Sequence, residues 1–412
     1  MSDLLKDDPR VAGIIEAERA RINGTLDLIA SENHAPESIM EAQGSVFNAK
    51  AAEGYPGRRF HSGCALADEL ESLAISRAKQ LFGAEHANVQ PHSGVSANLP
   101  VYFSVLEVGD RVLSMKLSHG GHLSHGDPAS TTSRCFRFSH YSVNRETELI
   151  DYDEVSRLAR EFRPKMIVAG ASSYSRLIDY PKMAAIARDV SAYLMVDMAH
   201  IAGLVAAKVI PSPVPYSDFV TFTTYKTLRG GRGGVILCRE RYADRIDRAI
   251  FPGSQGTPTL NLVAAKAVCF NLAMKPDFVN LQERTLENAA CLAVELGRRG
   301  YRVVSGGTEN HMVLVDLRPK GLKGSVAEEV LESVGILVNR NVVPYDPENP
   351  TITSGIRLGV PSITSRGMGK SEVARIAELI DVALSNRARK DVLGRVNREI
   401  SGLCERFPVY AG

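Results

Sequence analysis

The chain has 412 residues, 44% of them hydrophobic and 23% charged, with a net charge of +2. That length exceeds one small core and calls for two domains, or one large domain with appendages. Near-neutral charge without a basic run removes the electrostatic case for nucleic acid or an acidic membrane, and no apolar run approaches a membrane span.

Residues 1–10 are acidic and lack an apolar h-region, so the chain reads as cytoplasmic. Six scattered cysteines (Cys64, Cys135, Cys238, Cys269, Cys291, Cys404) without a CxxC pair read as reduced thiols, neither a disulfide framework nor a zinc site. Asp8-Pro9 opens a helix with Val11, Ile14, Ile15 and Ile22 at helical spacing. This is an N-terminal arm, taken to residue 50, whose apolar stripe covers either its own large domain or a partner subunit. After Gly54-Tyr55-Pro56-Gly57 a helical pattern runs over 68–82. Short apolar runs at 111–115, 166–169, 194–196, 219–222 and 235–238 then alternate with helices. They predict βαβ units, hence an α/β domain over 51–280 with a mostly parallel sheet. Catalytic residues of such sheets gather at the carboxyl ends of the strands. From 281 to 412 the rhythm changes to a smaller α+β domain. It has a helix at 281–299, strands at 311–317, 335–338 and 351–358, and a closing helix at 372–384 with Val373, Ile376, Ile380 and Ala383 on one face.

Two strands end in chemistry. Leu194-Met195-Val196 leads into Asp197, and Phe219-Val220-Thr221-Phe222 leads through Thr223-Thr224-Tyr225 into Lys226. A lysine amine able to condense with an aldehyde, and a carboxylate able to keep a pyridine nitrogen protonated, form the electronic core of a pyridoxal 5'-phosphate (PLP) enzyme. Taken singly, either residue is more often a cap or a solvated strand end. Ser93-Gly94, ahead of a helix, fits a phosphate held by backbone N–H groups, although Ser-Gly alone is common. His122 stands among glycines that admit a flat ligand, while His119 and His125 read as loop hydrogen-bonders. A histidine-based metal site is disfavoured because no carboxylate or thiol stands at ligand spacing.

Several strings are closely similar to serine hydroxymethyltransferases. They are Leu28-Ile29-Ala30-Ser31-Glu32-Asn33, Ala52-Glu53-Gly54-Tyr55-Pro56-Gly57, Gln90-Pro91-His92-Ser93-Gly94, His119-Gly120-Gly121-His122-Leu123-Ser124-His125-Gly126, Val196-Asp197-Met198-Ala199-His200, Lys226-Thr227-Leu228-Arg229-Gly230, Phe251-Pro252-Gly253 and Ser354-Gly355-Ile356-Arg357. The resemblance spans residues 25–370 and implies the PLP aminotransferase-like fold (fold type I). It also implies a homodimer, or a tetramer, whose active sites borrow residues from both subunits. It assigns His122 to stacking on the cofactor, and Ser172 and His200 to the neighbourhood of the phenolic oxygen. Glu53 becomes the general acid/base, Arg357 the grip on the amino-acid carboxylate, and Ser31 a further substrate contact. Tetrahydrofolate contacts would fall on Glu53, Phe60, Leu117, Leu123 and Asn341.

The departures cluster near the phosphate and the substrate. Ala51 and His61 stand where the family has tyrosines, Val95 replaces a serine, Thr257 a glycine, and Tyr225 the histidine before the lysine. One lost phosphate hydroxyl costs about 1 kcal/mol, and Tyr225 could replace it. The smaller residues open room for an α-substituted serine. The expected function is therefore hydroxymethyl transfer between tetrahydrofolate and a serine-type amino acid, either serine/glycine or α-methylserine/D-alanine. The alternatives are a folate-independent threonine aldolase or transaldolase, and a catalytically inactive PLP-fold binding subunit.

Overall fold

A computed structural model describes residues 3–410. Contacts divide the chain into two compact units, one of residues 33–286 and one of residues 1–32 together with 287–412.

The first unit is built on a seven-stranded sheet. Its strands are β1 (His86–Asn88), β2 (Arg111–Met115), β3 (Arg137–Tyr141), β4 (Met166–Ala169), β5 (Tyr193–Asp197), β6 (Phe219–Thr223) and β7 (Gly234–Cys238). The spatial order is β1-β7-β6-β5-β4-β2-β3, and β7 alone runs against the direction of the other six. This is the mostly parallel α/β sheet expected. Every residue of β4, β6 and β7 is buried, which is why these strands read as unbroken apolar runs without alternation. Helix Gly94–Val105 packs Ala97, Val101 and Tyr102 into a core with Val168, Met195, Phe219 and Ile236. Each fully buried aliphatic or aromatic side chain there contributes about 1.5–3 kcal/mol. Strands β1 and β3 escaped the sequence reading because His86-Ala87-Asn88 and Arg137-Phe138-Ser139-His140-Tyr141 are too polar to resemble buried strands.

In the second unit a four-stranded antiparallel sheet takes the order Arg302–Val303, Met312–Asp316, Gly355–Gly359, Asn339–Asn341. Helix Lys370–Ser385 covers it with Val373, Ile376, Ile380 and Ala383, all buried as expected. That helix does not close the chain, because Lys390–Arg406 follows and adds Val396, Ile400 and Leu403 to the same core. The expected strand at 351–358 starts only at Gly355. Asn349 and Asp346 hold residues 351–354 in a turn by accepting hydrogen bonds from the Thr351 and Ser354 amides, at 2.9 and 2.8 Å.

The grouping also corrects the arm drawn through residue 50. Leu26–Asp27 pairs in parallel with Ile336–Leu337. The buried Arg366 guanidinium donates to the carbonyls of Asn23, Thr25, Cys404 and Phe407. Both features tie residues 23–27 to the C-terminal segment. The predicted helix is there, from Pro9 to Gly24 with Asp8 as its cap, but Ala12 is its one buried residue. Val11, Ile14 and Ile15 are 42%, 61% and 46% exposed. Among the described residues no helix is long and apolar enough to cross a membrane.

Candidate active site

The carboxyl ends of β4, β5 and β6 open into one pocket of 120 Å³. Its lining includes Ser93, Gly94, Val95, His122, Ser172, Asp197, His200, Tyr225 and Lys226, all singled out in the sequence. A roomier cavity of 520 Å³ lies elsewhere, at the amino end of β6, beside Asp218. Two of its arginines are already paired, Arg239 with Glu85 and Arg241 with Asp218, and none of the candidate residues lines it.

Asp197 is the last residue of β5, and its side chain is only 10% exposed. One oxygen accepts from the Ala199 amide at 3.0 Å. The other accepts from Asn98 Nδ2 at 2.9 Å and lies 3.1 Å from His125 Nε2. Burial opposes ionisation of this carboxyl. The hydrogen bond and charge of His125, the charge of His122 and the Asn98 amide outweigh it and hold the carboxyl well below its usual range. His125 is itself fixed, since Tyr102 Oη sits 2.8 Å from its Nδ1. The ring is thus held between the phenol on one side and Asp197 on the other. Thr221 of β6 donates to Asn98 Oδ1 at 2.6 Å, completing the support. Gly170 allows this packing, because a Cβ there would lie 2.3 Å from the Asp197 carbonyl oxygen.

Lys226, buried, donates from Nζ to Thr223 Oγ1 at 3.0 Å. Its Nζ lies 4.9 Å from the Tyr225 ring centroid, and the Arg232 guanidinium lies 4.6 Å from the same ring. Ser93 caps helix Gly94–Val105 in a reciprocal box with Ser96, an arrangement worth about 1 kcal/mol to the helix. Gly94 approaches β6 so closely that a Cβ would sit 2.9 Å from Thr223 Cγ2. Ser93, Gly94 and Val95, at the start of this helix, line the same pocket as the lysine and the aspartate.

His122 Nδ1 accepts from the Ser124 amide at 3.2 Å and lies 2.8 Å from Ser124 Oγ. Burial pushes its imidazole down to about 4, so the ring is neutral at pH 7. His119 accepts from the Val143 amide, and burial likewise pushes it down to about 4. Both rings have folded values below their ordinary 6.5, so the unfolded chain binds more protons between these limits. Stability is intact above about pH 6.5 and falls as the pH drops toward 4, with His122 alone contributing on the order of 2–3 kcal/mol. The urea midpoint should decline from pH 7.5 to pH 5; an unchanged or rising midpoint would contradict the burial of neutral rings.

His122, His125 and Asp197 each bring one ligand atom within 4.8 Å of the others. Contrary to the expectation from spacing, a carboxylate does stand beside the two histidines, because β5 delivers Asp197 from a distant segment. His125 and Asp197 are also hydrogen-bond partners, and His122 Nδ1 already accepts from backbone.

A family model described as serine hydroxymethyltransferase matches residues 4–380. The chain belongs to the serine hydroxymethyltransferase family. The family is PLP-dependent, of fold type I, and transfers one-carbon units. The pocket's donor set fits that cofactor. It offers an amine on Lys226, a carboxylate kept ionised at Asp197, a neutral ring at His122 and a capped helix N-terminus for a phosphate.

Other serine hydroxymethyltransferase candidates lie outside this lining. Glu53 is half-buried, with its Oε1 3.5 Å from where a Cβ on Gly256 would stand, next to Thr257. Phe60 is 76% exposed, its ring centroid 5.5 Å from that of Phe251. Ala51 and His61 are exposed, as are Leu117 and Leu123 at 39% and 56%. Ser31, Asn341 and Arg357 belong to the second unit. There Arg357 is buried between Ile356 and Leu358 on its strand and donates from Nε to Asn339 Oδ1 at 3.1 Å. Burial pushes its guanidinium down to about 10, which leaves it charged at neutral pH. The sequence reading missed Asn98 altogether and gave His125 only a loop role. A buried amide one turn into an otherwise apolar helix was the available signal for Asn98.

Proposed function

We propose that the protein transfers a hydroxymethyl group between a serine-type amino acid and tetrahydrofolate, with PLP as cofactor. The observation that carries this reading is the meeting of Lys226 and Asp197 in one pocket at adjacent strand ends. When bound, PLP supplies the electron sink for breaking the Cα–Cβ bond. Lys226 holds the cofactor through its amine, and Asp197 keeps a proton on the pyridine nitrogen. His122 offers a neutral face for stacking, and Ser93 and Gly94 orient the phosphate. Ser172 and His200 serve the phenolic oxygen. The Tyr225 hydroxyl stands in for the phosphate contact that Ala51 lacks, and Thr257 adds a contact near the phosphate.

Glu53 moves the proton at the substrate hydroxyl, Arg357 grips the amino-acid carboxylate through two parallel hydrogen bonds, and Ser31 and His61 complete the substrate contacts. Phe60, Leu117, Leu123 and Asn341 form the folate surface. A homodimer with shared sites accounts for Ala51, Phe60 and His61 being exposed on one chain: each would reach the partner's pocket. Val46 and Leu66, 89% and 70% exposed in the same stretch, supply apolar surface for that association.

A second reading, α-methylserine with D-alanine as product, is favoured by the small Ala51 and the imidazole of His61 in place of two phenols. Rates on serine, α-methylserine and threonine, each with and without tetrahydrofolate, separate the readings. Folate-dependent turnover of serine or α-methylserine is expected. Folate-independent cleavage of threonine alone would replace transfer with aldolase chemistry. No turnover of any substrate by PLP-loaded protein would leave a binding subunit.

A further inference from the structure

Helix Leu260–Ala273 carries a lysine that does not line the pocket. Lys266 is 2% exposed, and its ammonium donates to the Val89 carbonyl at 2.6 Å and the Pro91 carbonyl at 2.8 Å. The carbonyl between them, Gln90, accepts from Gln255 Nε2 at 3.1 Å, and Gln255 Oε1 accepts from the His92 amide at 3.3 Å. Pro91 also accepts from the Gly234 amide at 3.0 Å. Residues 89–92 are thus pinned at every peptide, and they run straight into Ser93 and the N-terminus of helix Gly94–Val105.

A buried ammonium is expensive, and a methionine of similar shape would fill the space without that cost. Burial pushes Lys266 down to about 7, against the opposing charge of Glu71. The fold has also made room for it, since a Cβ on Gly233 would stand 2.3 Å from Lys266 Cε. A side chain retained at this cost, with two donors spent on the two carbonyls that flank Gln90, acts on the position of the turn that follows.

We propose that Lys266 is a positioning residue for cofactor phosphate: it fixes the 89–92 segment so that the Gly94 end of the helix stands where a phosphate can be gripped. This rests on the reading of that turn as the phosphate site. A residue acting on the phosphate grip must affect PLP more than pyridoxal, which has the same ring and aldehyde but no phosphate; a residue needed only for folding affects both alike.

The test compares dissociation constants of PLP and pyridoxal for dialysed wild-type protein and Lys266→Met, by visible absorbance and equilibrium dialysis, with circular dichroism to verify folding. In the variant the preference for PLP over pyridoxal should fall by about tenfold. A fall of less than about threefold overturns the inference. If Lys266→Met does not fold, Lys266→Gln, which keeps a donor for one carbonyl, is measured against the same threshold. Wild-type protein that binds no PLP overturns the cofactor reading itself, whereas tight wild-type binding with an unaltered preference in the variant sinks only the role of Lys266.

Discussion

Lys226→Ala should lose the covalent hold on PLP, and kcat should fall by about a thousandfold or more. Lys226 is the one lysine lining the pocket, so no neighbouring amine can take over its condensation with the aldehyde. The structural price should be modest, since the change removes the hydrogen bond to Thr223 and some buried methylene packing. The measurements are the visible spectrum, kcat with added PLP, and the melting temperature. A folded variant with wild-type colour and turnover would remove Lys226 from the chemistry.

Asp197→Asn should be nearly as damaging for a different reason. The carboxylate accepts at both oxygens, from Ala199 on one side and from Asn98 on the other, where His125 also stands. An amide offers one acceptor and one donor, so whichever way it turns, a donor meets a donor. It also carries no charge with which to keep a pyridine nitrogen protonated. The turnover loss should be about 10²–10⁴-fold, by analogy with the carboxylate-to-amide change in a catalytic triad. The buried mismatch should lower stability by about 1–3 kcal/mol. Kinetics and urea unfolding read the two effects separately. Turnover within about threefold of wild type would show that the charge of Asp197 is not used.

Much of this arrangement was legible in the chain. Asp197 and Lys226 follow apolar runs long enough to be buried strands, and strand ends of a parallel sheet are where such residues collect. The antiparallel course of β7 departs from the βαβ pattern expected for the run at 235–238. Residues 224–233, which link it to β6, are fewer than the dozen or so that a parallel crossover needs. His125 was opaque for the opposite reason. Its partner Asp197 arrives from another strand, and no local periodicity reports a contact made by tertiary packing. The same blindness made a histidine–carboxylate cluster look unfavourable. The N-terminal segment misled because Leu26–Asp27 is two residues long, too short to register as a strand, yet its pairing with Ile336–Leu337 decides which unit the segment joins.

Reduction of PLP-loaded protein with borohydride, followed by peptide mass mapping, tests the central claim most directly. Among the described residues two lysines are buried, Lys226 in the pocket and Lys266 behind the segment that leads into Ser93. The account predicts the cofactor mass on the peptide carrying Lys226. Its recovery on Lys266 or a surface lysine, or its absence from every peptide, would contradict the account.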